Sequence, residues 1–315
     1  MTGARRKRVL VFGASGTAGQ GAVRALIEAG HSVTCVLRAP GNLPSGADEI
    51  RADVTQPLQI PGAFDVVVSC LASRSGRAKD AWAIDHSAQL NVLAWAKAAN
   101  VTLFILLSAI CVQKPKLPFQ NAKLAFEQAL MSSGLAYSIV RPTAFFKSLS
   151  GQLDRVRAGR PFLVFGEGCL TACKPISDDD LGRFMAGCID DPTRRNQILP
   201  IGGPGPAITP MDQAATLFAA AGQPMNVRCM PVGLFRVIRC VLQVVGCVIP
   251  KAAEKAELAQ IGHYYATESM LVLDPDTGQY DEAATPSTGS DTLEQHYAKL
   301  IAENASEARG DHAVF

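Results

Sequence analysis

Residues Lys7 to Arg38 read KRVLVFGASGTAGQGAVRALIEAGHSVTCVLR. Val9 to Phe12 is an uninterrupted apolar run, the pattern of a strand buried on both faces. Gly13, Gly16 and Gly19 follow at once, and apolar residues then recur at helical spacing through Ala22, Val23, Leu26 and Ile27. Gly30 stops the helix, and Ser32 to Leu37 makes a second strand. The stretch predicts a βαβ unit with glycines in its first turn. Gly13 lets the chain turn sharply out of the strand, Gly16 leaves space for a ligand to reach the backbone, and Gly19 lets helix and strand pack closely. The free N–H groups and positive dipole end of the helix then face a pyrophosphate. Ser15 and Thr17 join the three glycines as candidate contacts to a dinucleotide.

The end of the second strand selects the dinucleotide. An acid there holds a ribose 2′-hydroxyl; this chain places Arg38 there, with no acid beside it. A guanidinium suits a 2′-phosphate, so the expected cofactor is NADPH. Asp53 and Val54, at the end of a third strand read as Glu49 to Val54, are expected to lie under the adenine. The spacing G-x-x-G-x-x-G is similar to that of short-chain dehydrogenase/reductases.

Composition narrows the class. Hydrophobic residues make up 48% of 315, enough for a large core. A net charge of +2 argues against a nucleic-acid partner bound through a basic surface, and the run Arg5 to Arg8 reads as a solubilising leader to the first strand. The nine cysteines are scattered and odd in number, as expected of a reducing, cytoplasmic compartment. Cys169 and Cys173 have no second pair or histidine to complete a metal site, so no metal is expected. With the first strand so near the start, neither a secretory signal nor a long transit peptide is expected.

Further strands are read at Phe64 to Leu71, Leu103 to Leu107 and Tyr137 to Val140, with helices at about Ala81 to Ala99 and Asn121 to Met131. Six strands alternating with helices predict an α/β fold, a doubly wound parallel sheet of the Rossmann type. Residues 1–150 are expected to form the NADP-binding domain, 151–302 a smaller substrate lobe interleaved with the sheet, and 303–315 a loose tail. Within the lobe, Leu163 to Phe165 and Ile198 to Gly202 read as strands, and Asp178 and Thr209 as caps of helices through Cys188 and Ala221. Val232 to Ile249 is the most apolar stretch, but Arg236, Arg239 and Gln243 interrupt it, so no membrane span is expected. It reads as a buried amphipathic helix, the wall of a greasy pocket, or a helix lying on a membrane surface. The run from Asp274 to Asp281 has the wrong carboxylate spacing for a calcium loop.

The chemistry should sit where the fifth strand ends. Ser108 lies there, and the next helix carries Phe119-Gln-Asn-Ala-Lys123. In short-chain dehydrogenases a serine, a tyrosine and a lysine occupy these places. Here the tyrosine position holds Phe119, which has no proton to give. A carbonyl reductase needs an acid at the developing alkoxide; an enzyme reducing a conjugated carbon–carbon double bond does not. A protein that only senses the cofactor is the other reading of the same residues.

LLSAICVQKP (Leu106 to Pro115) with FQNAK (Phe119 to Lys123), IVRPTAFFKS (Ile139 to Ser148), CKPISDDDL (Cys173 to Leu181), LDPDTG (Leu273 to Gly278) and ATPSTG (Ala284 to Gly289) resemble the NADPH-dependent 8-vinyl-reductases of chlorophyll synthesis across nearly the whole chain. The resemblance is to the bacterial type, serving bacteriochlorophyll synthesis, and the Phe for Tyr replacement belongs to that pattern. It implies reduction of the 8-vinyl group of divinyl chlorophyllide a, or divinyl protochlorophyllide, to 8-ethyl. Lys123 would hold the nicotinamide ribose and Ser108 lie beside the ring, as the catalytic pair. Phe119, Phe145 and Phe146 are candidates to meet the flat macrocycle, and Arg141 or Lys147 its propionate. His263, with Tyr264 and Tyr265, is a candidate to line the pocket or meet a magnesium ion held by the pigment. An isoflavone-reductase type of double-bond reductase and a non-catalytic NADP-binding regulator are the alternatives. A peripheral contact with photosynthetic membranes is consistent with a cytoplasmic protein of this kind.

Overall fold

The computed structural model describes residues 6–246 and 250–305. The chain runs β1 (Arg8–Phe12), α1 (Thr17–Glu28), β2 (Ser32–Leu37), β3 (Ala47–Arg51) and β4 (Val66–Ser69). A helical layer follows: α2 (Ala78–Ala81), a π-helical segment (Trp82–Ala88) and α3 (Gln89–Ala98). Then come β5 (Leu103–Leu107), a 3₁₀ turn (Ile110–Gln113), α4 (Pro118–Met131) and β6 (Ala136–Pro142). The second half holds α5 (Phe146–Leu149), α6 (Leu153–Arg157), β7 (Phe162–Phe165), α7 (Asp178–Gly187), β8 (Gln197–Ile201), α8 (Pro210–Ala220) and β9 (Val227–Met230). It ends with α9 (Gly233–Gly246), α10 (Pro250–Thr267), β10 (Val272–Leu273), β11 (Tyr280–Asp281) and α11 (Leu293–Ala302).

Seven strands form one parallel sheet in the order β3-β2-β1-β4-β5-β6-β8. The winding reverses between β1 and β4, which opens a crevice at the carboxyl ends of those strands. Strand side chains alternate between two cores. Val9 and Val11 face α1 and α7 through Val23, Leu26, Leu181 and Met185. Leu10 and Phe12 face α3 and α4 through Val92, Trp95 and Phe126. Burial on both faces is why these strands read as unbroken apolar runs.

Helix α7 reaches back from the second half to seal α1. A Cβ on Gly182 would lie 2.3 Å from the Gly21 carbonyl oxygen, and one on Gly21 would lie 2.3 Å from that of Asp178. The two backbones therefore touch, and β8 follows α7 into the main sheet beside β6. A third core, with Phe146, Val156, Phe162, Leu217 and Tyr297, gathers around α8 and α11.

Several expected boundaries move. The third strand runs from Ala47 to Arg51, so Asp53 and Val54 lie in the turn beyond it. The fourth is shortened to Val66–Ser69. Helix α4 begins at Pro118, where a fixed φ and a missing N–H suit the first helical position. The cap of α7 is Ser177, whose hydroxyl accepts from the Asp180 N–H, rather than Asp178. Strand β9, not foreseen, pairs in parallel with β7. Asp274 closes an Asx turn by accepting from the Asp276 N–H at 2.8 Å.

The described part of the Val232 to Ile249 stretch forms α9 and is not a buried helix. Phe235 is buried, but Val237, Ile238, Val241 and Val245 are exposed along one face. Residues 247–249 and 306–315, which include most of the expected tail, lie outside the described residues. No helix among the described residues is long and apolar enough to cross a membrane.

Candidate active site

The phosphate cradle forms where β1 runs into α1. Gly13 has φ +75°, and a Cβ there would lie 2.5 Å from the Cys70 carbonyl oxygen. A Cβ on Gly19 would lie 2.1 Å from the Gly13 carbonyl oxygen. Both glycines are required by the chain itself. Gly16 is different: its φ of −76° is open to any residue, and a Cβ would meet only the Gly13 carbonyl oxygen, at 3.5 Å. Nothing in the protein requires a glycine there, so the free space suits a ligand. Gly16 also caps α1 without a side chain, and the first turn carries no acid. The N–H groups and the helix dipole are left for an anion. Ser15 is exposed at the mouth, and Lys147 Nζ donates to Thr17 Oγ1 at 2.9 Å.

Arg38 is exposed just beyond β2. Asp53 is exposed beyond β3 and accepts from the Thr55 N–H at 2.9 Å and Thr55 Oγ1 at 2.8 Å. These donors, helped by the Arg38 guanidinium, hold its carboxyl below the usual carboxylate range. Val54 is buried, and its carbonyl oxygen accepts from Asn91 Nδ2 at 2.9 Å.

The expected catalytic pair meets at the ends of β4 and β5. A narrow cleft there is lined by Asp85, Gln89, Leu107, Ser108, Lys123 and Phe126. Lys123 Nζ lies 2.9 Å from Asp85 Oδ1, which also accepts from the Ser73 N–H at 3.3 Å. Ser108 Oγ donates to Glu127 Oε1 at 2.5 Å. Glu127 in turn takes Arg141 Nε at 3.1 Å on that oxygen and Arg141 Nη2 on the other. The loop after β4 is tied to α10 by Arg77 to Glu254 at 2.7 Å and by the Ala78 N–H donating to Glu257 at 3.1 Å.

Each polar group of the serine–lysine pair is therefore bound to a buried carboxylate. Ser108 donates its hydroxyl hydrogen bond to Glu127, and Phe119 has no hydroxyl. Tyr264, in the same apolar cluster as Phe119, donates to the backbone carbonyls of Cys111 and Lys114 at 2.9 and 3.2 Å. This arrangement can hold a dinucleotide and deliver a hydride. It offers no side-chain hydroxyl proton to a substrate oxygen at these three positions.

The aromatic candidates are not brought together. Phe119 belongs to the cluster of Ile110, Cys111 and Tyr264. Phe145, half-buried, packs against the core of the α1 face, and Phe146 is inside the core around α8 and α11. Arg141 is committed to Glu127 and is not a free cation for a propionate. His263 meets Phe235 edge-on at 6.2 Å, and burial pushes its imidazole below the ordinary value.

Asp85 and Glu127 were not among the expected site residues. A signal for each was present. Asp85 and Gln89 stand one turn apart on the inner face of a helix that also carries Val92, Leu93 and Trp95, and Glu127 stands one helical turn after Lys123. A carboxylate at a buried position needs a cationic or donor partner, and both of these have one.

Residues 13–192 match the family model described as NAD(P)H-binding. Divinyl chlorophyllide a 8-vinyl-reductase, chloroplastic, of Oryza sativa subsp. indica is 44% identical, over 98% of this chain and 82% of that protein. The protein of that name from Arabidopsis thaliana is 45% identical, over 94% of this chain and 77% of its own. Among solved structures, the NADPH-dependent quinone oxidoreductase QOR2 from Escherichia coli, complexed with NADPH, superposes with a TM-score of 0.65. It covers 93% of this chain and 99% of its own at 17% identity, a likeness of fold.

Proposed function

We propose, from the premise that this chain belongs to the divinyl chlorophyllide a 8-vinyl-reductase family, that it uses NADPH to reduce the 8-vinyl group of divinyl chlorophyllide a to 8-ethyl. Divinyl protochlorophyllide is the second pigment in the proposal, and bacteriochlorophyll synthesis its setting. The observation that carries the reading is the pairing of a dinucleotide cradle with a site that has no acid at Phe119 and a Ser108 hydroxyl whose hydrogen bond is donated to Glu127.

Bound NADPH supplies the hydride. The residues of the chain do the rest. The N–H groups around Gly16 and Thr17 receive the pyrophosphate, and Arg38 receives the 2′-phosphate. Asp53 and Val54 would hold the adenine side, and Lys123 would donate to the nicotinamide ribose. Ser108, turned toward Glu127, would lie beside the ring without competing for a substrate oxygen. Half-buried Phe145 is the aromatic candidate left to meet the macrocycle; Phe119 and Phe146 act as core residues. A conjugated macrocycle spreads the developing negative charge, so the proton that follows onto carbon can come from water.

A peripheral membrane contact is the second part of the proposal. The exposed face of α9 bears Val237, Ile238, Val241 and Val245, and the helix carries Arg236 and Arg239 with no acid. A basic amphipathic helix of this kind suits an anionic lipid surface.

The test is pigment-dependent oxidation of NADPH by wild type and R38A. Wild type should consume NADPH with divinyl chlorophyllide a and use NADH poorly. R38A should lose about 10- to 100-fold in NADPH affinity, the worth of a charge-assisted contact, with little change for NADH. No NADPH consumption with either divinyl pigment would contradict the reading.

A further inference from the structure

Asp85 is 2% exposed, and its two carboxylate oxygens are unequally served. Oδ1 takes Lys123 and the Ser73 N–H; Oδ2 has no hydrogen-bond partner. A buried carboxylate oxygen without a donor is costly and uncommon. The π-helical segment Trp82–Ala88 carries Asp85 into the cleft, and such widened turns recur at functional sites.

The electrostatics of the site depend on this carboxylate. Lys123 has a side chain only 12% exposed. An ammonium buried that far, with no counter-charge, loses its proton readily. If it kept the proton, it would oppose the positive charge that grows on a nicotinamide ring during hydride transfer. Asp85 at 2.9 Å removes both difficulties. The ammonium stays charged, the pair is neutral, and two N–H donors remain for ribose hydroxyls. In short-chain dehydrogenases with a catalytic tyrosine, the lysine lowers the pKa of that tyrosine; with Phe119 in its place there is no phenol here to activate.

We infer that Asp85 is a positioning residue of the hydride-transfer site, holding Lys123 as a charged, locally neutralised anchor for the nicotinamide ribose. The inference rests on the NADPH reading given above. Around the pair, Cys70 beyond β4 and Cys111 in the 3₁₀ turn feel the Lys123 charge, but burial keeps both thiols protonated, Cys70 pushed up to about 12. Glu127 of α4 is bound to Arg141 of β6, and His86 stacks edge-on against Trp82 at 5.1 Å. Asp85 is the carboxylate in direct contact with the ammonium.

The experiment is NADPH titration by cofactor fluorescence, without pigment, from about pH 6 to about pH 9, the range across which a desolvated lysine titrates. Wild type should bind with nearly constant affinity. D85N should bind about 10-fold more weakly near neutral pH, and progressively more weakly as pH rises, because the buried ammonium has lost the carboxylate that favours its charged form. D85N binding like wild type at every pH, or weakened equally at every pH as a packing defect would be, overturns the inference. Should D85N not fold, D85N/K123Q removes both charges and leaves no unpaired ion; weak, pH-independent binding is expected, and wild-type affinity overturns the inference. A wild type that binds no NADPH overturns the cofactor reading and the inference with it.

Discussion

Gly16 and Gly19 stand three residues apart in the same turn and answer to different constraints. Gly19 is required by its neighbour, since a methyl group there would overlap the Gly13 carbonyl. Gly16 faces open space at an ordinary backbone angle. G19A should therefore cost about 3 kcal/mol of stability, at the upper end of overpacking penalties. G16A should fold within about 0.5 kcal/mol of wild type, as for a surface change, yet lose at least about 10-fold in NADPH affinity. Urea unfolding and cofactor titration on the two variants separate the roles. The places of the glycines and Arg38 at strand ends, and of Lys123 on the helix after the fifth strand, were legible in the sequence because their spacing from a strand end is local; their roles are part of the proposal. The partners of Ser108, Lys123 and Arg141 were not. Glu127 and Asp85 meet them through the fold, and nothing in linear spacing links an acid on one helix to a lysine on the next but one. Arg141 read as a free cation for the same reason.

At the level of elements, α1 does two jobs. Its N-terminus is the proposed seat of the pyrophosphate, and its flank touches α7 through Gly21 and Gly182. G182A would push a methyl group toward the Gly21 carbonyl and separate the helices. We expect a loss of about 1–3 kcal/mol in unfolding experiments, together with weaker NADPH binding if the same helix holds the pyrophosphate as proposed. A change in stability with cofactor affinity intact would show that the two ends of α1 are uncoupled. Periodicity revealed β1, α1 and β2 because burial on defined faces imposes it. The π-helical segment was invisible, since Trp82–Ala88 has the composition of an ordinary helix. Strand β9 was missed because VRCM is short and half polar, and pairs with β7 far away in the chain. The outward apolar face of α9 has the same pattern as an inward one; only the folded neighbours tell them apart.

The whole molecule joins a cofactor sheet to a second half that both seals it and carries the exposed α9 face. If that face meets lipid, V241D should reduce co-sedimentation with anionic vesicles by about 10-fold, the order of burying one valine. Raising salt should weaken wild-type binding through Arg236 and Arg239. Equal recovery of wild type and V241D with the vesicles would contradict a membrane role for α9. Cofactor binding and vesicle binding can each hold or fail without the other, and neither reaches the reaction itself.

The direct test follows the hydrogen atoms. Purified protein is incubated in the dark with divinyl chlorophyllide a and NADPH carrying deuterium at both C4 positions, in ordinary water. The product mass should show one deuterium and one protium gained, with the deuterium on the new ethyl group. Pigment recovered with unchanged mass, or gaining hydrogen with no deuterium from the cofactor, would contradict hydride transfer from NADPH to the 8-vinyl group.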